Sequence, residues 1–167
     1  LPLDVIHPIR YAEAVAPAVA AEQCDRRPDF AQLVRSLEII DGSCDCLLLE
    51  GIGGLLVPLD VNQPSHTVLD LIVTLGYPVL VVARARLGTL NPTAMTIRLL
   101  RYSGCRVVGI VMNHYDIDVT NHVDPSTTTN RQWLGRMNGV PVLATVPRCT
   151  PHMVAPHQGR ISDEIIA

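Results

Sequence analysis

Apolar residues recur at helical spacing between Asp29 and Ile40, where Phe30, Leu33, Val34 and Leu37 share one face and Pro28 and Asp29 suit a helix start. The pattern then changes. Cys46-Leu47-Leu48-Leu49 is a short continuous apolar run that stops abruptly at Glu50-Gly51-Ile52-Gly53-Gly54, which predicts a strand buried on both faces followed by a loop. A helix is predicted from Thr67 to Leu75, closed by Gly76. Pro78 to Ala83 reads as a second buried strand, and Asn91-Pro92 opens a helix to about Ser103, with Asn91 at the N-cap, Pro92 at the first helical position and Gly104 as the stop. Arg106 to Met112 is a third buried strand, and the stretch from Asn113 to Pro125 is polar and turn-rich. A helix over Thr128 to Met137 and a strand over Val142 to Val146 complete the order.

Strands without polar alternation, each followed by a helix, predict an α/β fold, a parallel sheet with helices on both faces. At 167 residues the length fits a single domain spanning 1–167. Only 17% of residues are charged and the charges are dispersed, which excludes a disordered chain. A net charge of -3 gives no electrostatic drive toward nucleic acid. The apolar runs fall well short of the roughly 20 residues of a membrane helix, and no signal peptide is visible, so a cytoplasmic protein is expected. With no initiator Met at Leu1, the reading is of a chain that starts within a longer protein. Cys24, Cys44, Cys46, Cys105 and Cys149 are an odd set without paired C-x-x-C spacing, which fits reduced thiols.

In open parallel sheets, ligands gather at the carboxyl ends of the strands, where helix N-termini present free N–H groups. Four predicted exits therefore hold the candidate chemistry: those after Leu49, Ala83, Met112 and Val146. A carboxylate at a buried strand tip is costly unless paired, so Glu50 either coordinates Mg²⁺ with phosphate oxygens or accepts hydrogen bonds from loop amides. Gly53 and Gly54 permit close backbone approach to a ligand or simply serve the turn. Gly88, Thr89, Leu90 and Asn91 lead into a helix whose N-terminus suits an anion, with Asn91 as plain cap the alternative. Asn113 carries both a donor and an acceptor, suited to a purine edge or to an ordinary turn. The six histidines show no metal-ligand spacing, and no G-x-S-x-G elbow is present.

Leu47 to Leu59 resembles the "VEGAGG" strand and loop of the dethiobiotin synthetase family, within the P-loop NTPase group. Pro78 to Asn91 is similar to that family's "PVILVV…LGTINH", Val107 to Asn113 to its "AGVVLN", Pro141 to Pro147 to its "PVLGxIP", and Ile6 to Pro17 to its "NPYRFxxPxxP". The matches keep the family's order from about Val5 to about Pro147. The resemblance implies an ATP- and Mg²⁺-dependent cyclo-ligase of biotin biosynthesis. An amine of 7,8-diaminopelargonate takes up CO2 as a carbamate, the carbamate attacks the γ-phosphate of ATP, and the second amine closes the ureido ring. Carried over position by position, Glu50 is implied as catalytic Mg²⁺ ligand and Gly53 and Gly54 as bordering the substrate. Asn113 and Pro147 are implied to bind adenine. Gly88, Thr89, Leu90 and Asn91 are implied to offer amides to the diamine's carboxylate across a homodimer.

The family's "GTDTxVGKT" loop, a further lysine and a metal-binding aspartate have no counterpart here, and all 13 basic residues are arginine. About two βαβ units, roughly 60 residues, including the first strand and the P-loop, are expected ahead of Leu1. Ile52 and Pro92 replace the family's usual alanine and histidine, and Arg148 stands where some relatives carry tryptophan, without removing an implied contact. Two other readings stand beside this one: a related P-loop ATPase or amidoligase, similar to cobyrinic acid diamide synthetase or a partitioning ATPase, and a truncated, non-catalytic nucleotide-fold module.

Overall fold

The computed structural model describes residues 1–24, 27, 30–113, 125–147, 154–155 and 160–161. The chain divides into two compact units, Leu1–Tyr77 and Pro78–Ala167.

The first unit is built from α1 (Leu3–Ile6), α2 (Pro17–Gln23), α3 (Phe30–Asp41) and α4 (Val68–Leu75). Helix α3 follows the apolar spacing closely; the Pro28-Asp29 start lies outside the described residues. Its Leu37 and Ile40 are buried with Leu71 of α4, and Val5, Phe30, Leu33, Val34, Leu47, Leu59 and Leu75 pack around them. Truncating one such leucine to alanine costs on the order of 2–5 kcal/mol. Helix α4 starts and stops as the sequence predicts. At its start the Asp70 carboxylate accepts from the Thr67 N–H at 2.8 Å and from the Thr67 hydroxyl. At its end Gly76 N–H donates to Ile72 O at 3.0 Å. Helices α1 and α2 have no counterpart in the sequence reading. Ala18, Ala20 and Ala21 of α2 are buried, but three alanines carry too little apolar weight to mark a face.

A closed loop precedes α4. Leu59 N–H donates to His66 O at 2.8 Å, Leu69 N–H to Leu55 O at 2.8 Å, and Pro58 pairs with Thr67 in an antiparallel bridge. Inside it the buried Asp60 carboxylate accepts from Asn62 N–H at 2.8 Å and Gln63 N–H at 3.3 Å, and His66 Nδ1 stands 3.5 Å from its other oxygen. The His66 ring lies against Phe30, with centroids 4.7 Å apart. Burial by itself pushes the Asp60 carboxyl up, yet the amides of Asn62, Gln63 and Phe30 together with His66 outweigh it and hold the group below its ordinary value.

The strand predicted over Cys46 to Leu49 does not form. Leu48 is 89% exposed, Leu49 is also exposed, and only Leu47 joins the core. A strand exists only where its N–H and C=O groups find a ladder, and among the described residues none pairs with this segment. Apolar character supplied the tendency without the partner. Consequently Glu50 is exposed rather than buried at a strand tip.

The second unit is a β-α-β-α-β run: β1 (Val79–Arg84), α5 (Leu90–Tyr102), β2 (Val107–Asn113), α6 (Ser126–Asn138) and β3 (Val142–Val146). The three strands are parallel in the order β1-β2-β3, which bears out the α/β class. Two short strands, β4 (Val154–Ala155) and β5 (Arg160–Ile161), pair antiparallel in the tail. Helices α5 and α6 touch each other as well as the sheet, so within this unit both lie on one face. There Val81 and Ala83 pair with Ile110 and Met112, and all four are buried with Ile97, Leu100 and Leu134 of the helices. The opposite face carries Leu80, Val82 and Leu143 exposed. At the far end of the helix layer, Arg101 Nη1 donates to Asn138 O at 2.7 Å, tying α5 to the C-terminus of α6.

Helix α5 begins earlier than its sequence suggests, with Thr89 at the cap and Leu90, Asn91 and Pro92 in the first turn. The first-turn N–H groups have no intrahelical acceptor, so Pro92 at the third position forfeits no hydrogen bond and cannot mark the start uniquely. The polar stretch after Asn113, His114 included, and Arg148 and Cys149 lie outside the described residues. Cys44, Cys46 and Cys105 are thiols outside any disulfide.

Asp60 supports a stability prediction. Replacement by alanine leaves the turn amides without their acceptor and is expected to cost about 1–3 kcal/mol in denaturant unfolding. Asp60 and Asp70 both titrate lower in the folded state than in the unfolded chain; for Asp70 the Thr67 hydroxyl is the largest cause. Their contribution is therefore complete above the ordinary carboxylate value of 3.8 and is lost as pH falls through the folded values. Unfolding measured from pH 7 down to pH ~2 is expected to show an acid loss that Asp60→Ala makes shallower. An unchanged acid limb contradicts the assignment.

Candidate functional site

The parallel register decides which residues meet. Ala83 pairs with Met112, Arg84 with Asn113, and Asn113 with Val146, so three strands end side by side at one edge. Pro147 follows directly on β3, which brings it next to Asn113, and the loop 85–89 leaves the same edge. Three of the four exits singled out in the sequence thus converge within the second unit. The fourth, after Leu49, belongs to the first unit and ends no strand.

The loop after β1 is held at its root. Ala85 N–H donates to Asn113 O at 3.1 Å, linking it to the end of β2. Gly88 turns the chain at φ +90, a left-handed conformation that glycine adopts without strain. Thr89 N–H returns to Arg86 O at 3.3 Å, and the buried Thr89 hydroxyl lies 3.3 Å from that of Thr93. With the Thr89 hydroxyl turned inward and Thr93 N–H bonded to Thr89 O at 3.1 Å, the amides of Leu90 and Asn91 occupy the first turn, where the helix itself offers no acceptor. Gly88 and Asn91 are exposed and Leu90 is half-buried, so this turn is open to a small anion.

Sequence reasoning missed Asn130 of α6, a buried residue whose Nδ2 reaches Ala85 O and Arg86 O, both at 3.1 Å. One signal was available: asparagine is a poor helix-interior residue, and Asn130 sits on the face of α6 that also carries Thr127 and Leu134, both buried. It missed Asp60 and His66 as well, since nothing in their spacing points at a turn that folds back on itself.

In the first unit, Glu50, Gly51, Gly53 and Gly54 form an exposed run. Gly53 adopts φ +70, and a Cβ there would lie 3.0 Å from Val57 Cγ2, so the backbone alone requires glycine. Gly54 differs: a Cβ would meet nothing within 4 Å. Among the described residues, no three His, Cys, Asp or Glu side chains gather as a metal cage. A single exposed carboxylate nevertheless fits Mg²⁺, which takes one or two protein carboxylates and completes its shell with phosphate oxygens and water. No helix among the described residues is long and apolar enough to cross a membrane.

A family model described as an AAA domain matches residues 2–154. Among curated proteins, the chain is 41% identical over 143 residues to the ATP-dependent dethiobiotin synthetase BioD of Anaeromyxobacter sp. (strain Fw109-5), covering 86% of this chain and 61% of that protein. It is 38% identical over 146 residues to the protein of that name from Anaeromyxobacter dehalogenans (strain 2CP-C), covering 87% and 62%. Against the one from Thermodesulfovibrio yellowstonii it is 34% identical over 152 residues, covering 89% and 62%. The chain thus spans about three-fifths of the length of these relatives. With most of its residues inside the matched region, the chain belongs to the AAA domain family, and the resemblance to dethiobiotin synthetases read from its motifs is borne out.

Proposed function

We propose that this chain is part of an ATP- and Mg²⁺-dependent dethiobiotin synthetase that carboxylates 7,8-diaminopelargonate with CO2 and closes the ureido ring through a carbamic-phosphoric anhydride. One observation carries the reading. Asn113, Pro147 and the Gly88–Asn91 loop, singled out from three separate stretches of sequence, leave the same edge of one parallel sheet. The names of the relatives supply ATP and dethiobiotin; the diamine and CO2 come from the motif resemblance.

The residues divide the work. Asn113 presents its side-chain amide to the purine edge, donating and accepting at once, while Pro147 offers an apolar wall with no N–H to compete. Within the Gly88–Asn91 loop, Thr89 N–H is held by Arg86 O, and the amides of Gly88, Leu90 and Asn91 take the carboxylate of the diamine and fix how far its two amines reach. In a homodimer this loop serves the partner's site. Glu50 would hold Mg²⁺, and Gly53 and Gly54 border the diamine. When bound, the ion would supply positive charge against that developing on the transferred phosphoryl group. Such chemistry asks the protein mainly for positioning and charge compensation. The phosphate-contacting lysine of the family has no counterpart among these 167 residues, so turnover is assigned to the full-length protein. We place it in the cytoplasm.

Two measurements test this reading. Full-length protein supplied with diaminopelargonate, ATP, Mg²⁺ and bicarbonate is expected to form dethiobiotin, and Glu50→Gln to lower kcat by about 10²-fold or more with an unchanged Tm, because the side chain is exposed. Undiminished turnover contradicts the metal role. The glycines separate backbone need from ligand approach. Gly53→Ala is expected to lower stability by about 1–2 kcal/mol through its positive φ. Gly54→Ala is expected to leave Tm alone and still raise KM for the diamine. An unaltered KM in Gly54→Ala removes that glycine from the substrate's border.

A further inference from the structure

Asn130 occupies the fifth position of α6 and is 4% exposed. Burying a side-chain amide costs free energy unless its donors are used, and here they are. Nδ2 faces three acceptors: Ala85 O at 3.1 Å, Arg86 O at 3.1 Å and Ser126 Oγ at 3.3 Å. The two carbonyls are those of the first two residues beyond β1. One side chain from α6 therefore grips the root of a loop that begins 45 residues earlier in the chain.

The grip is continuous with the rest of the loop. Arg86 O also accepts from Thr89 N–H, Thr89 is buried against Thr93, and α5 begins there. The direction in which the amides of Gly88 to Asn91 point is thus set from below, by Asn130, Thr89 and Thr93, all buried. Rotating the peptide between Ala85 and Arg86 would turn that whole set of donors. An aspartate at 130 would keep the shape and lose the donor, setting an acceptor against two carbonyls.

We propose that Asn130 is a positioning residue for the Gly88–Asn91 loop and, through it, for the carboxylate end of the diamine. The second part rests on the function proposed above. It acts on no reacting atom; it holds the donors that do the recognising.

The test uses full-length protein carrying Asn130→Asp, with Asn130→Ala as a second variant should the first fail to fold, and Arg101→Met as control. Arg101 also clamps backbone between α5 and α6, at the end of the helices away from the loop. Asn130 variants are expected to raise KM for diaminopelargonate about tenfold while KM for ATP stays within about twofold. In hydrogen exchange, the bonded amides of Ala85, Thr89 and Thr93 are expected to exchange about tenfold faster, with those of β2 unchanged. Arg101→Met is expected to lower Tm without either effect. Loop exchange that is unaltered in the Asn130 variants overturns the positioning role, whether or not the protein makes dethiobiotin. Faster loop exchange with an unaltered diamine KM overturns the link to the substrate. Absence of turnover in the unsubstituted protein instead overturns the proposed reaction and leaves loop exchange to decide the positioning role.

Discussion

Backbone pairing in the three parallel strands is the constraint on which the second unit depends. Because β1, β2 and β3 run the same way and pair Arg84 with Asn113 and Asn113 with Val146, their exits must share an edge. A parallel pair needs a crossover, and α5 and α6 provide the two here, laying their apolar stripes on one face and sending each loop back to the opposite end of the sheet. Residues distant in sequence are therefore brought together without any contact between their side chains having to be selected first. Asn130 adds the finer adjustment, since a shared edge fixes where a loop starts but not how its amides point.

The same requirement explains why one strand failed to appear. Leu47, Leu48 and Leu49 are as apolar as Val79 to Val82, and only the β-branched valines of the second run separate the two in sequence. The difference is that Val81 and Ala83 find Ile110 and Met112 beside them, while residues 46–49 have no ladder among the described residues. Hydrophobic pattern reports a tendency to be covered; the partner is non-local and leaves no trace in the run itself. Glu50 inherited the error, because a strand tip was assumed where an exposed loop stands.

Other features were legible to the degree that they are local. Thr67, Asp70 and Gly76 bracket α4 through contacts spanning three or four residues, and the sequence reading placed its start at Thr67 and its stop at Gly76 without singling out Asp70. Val142 to Val146 was readable as a run. The start of α5 was not, since Asn91-Pro92 satisfies the rules for a helix start equally well two positions away. Asp60 and Asn130 stayed hidden because they bond backbone groups whose positions only the folded chain defines, and His66 because it meets the Asp60 carboxylate and the Phe30 ring only once the loop has closed. For the candidate site, the motifs placed Asn113, Pro147 and Gly88 to Asn91 at strand exits, and these exits share one edge. Their roles rest on the resemblance, which supplied chemistry that spacing alone left open between ligand binding and ordinary turns.

The claim at the centre of this account is that the shared strand edge is the nucleotide- and substrate-facing edge. Backbone amide resonances of full-length protein, followed by NMR while MgATP is added, test it most directly. The account predicts shifts at Asn113 and Val146 with little change at Val79, Val107 and Val142, at the opposite ends of the same strands. Perturbation confined to those opposite ends, or saturable MgATP binding that leaves Asn113 unmoved, would contradict it.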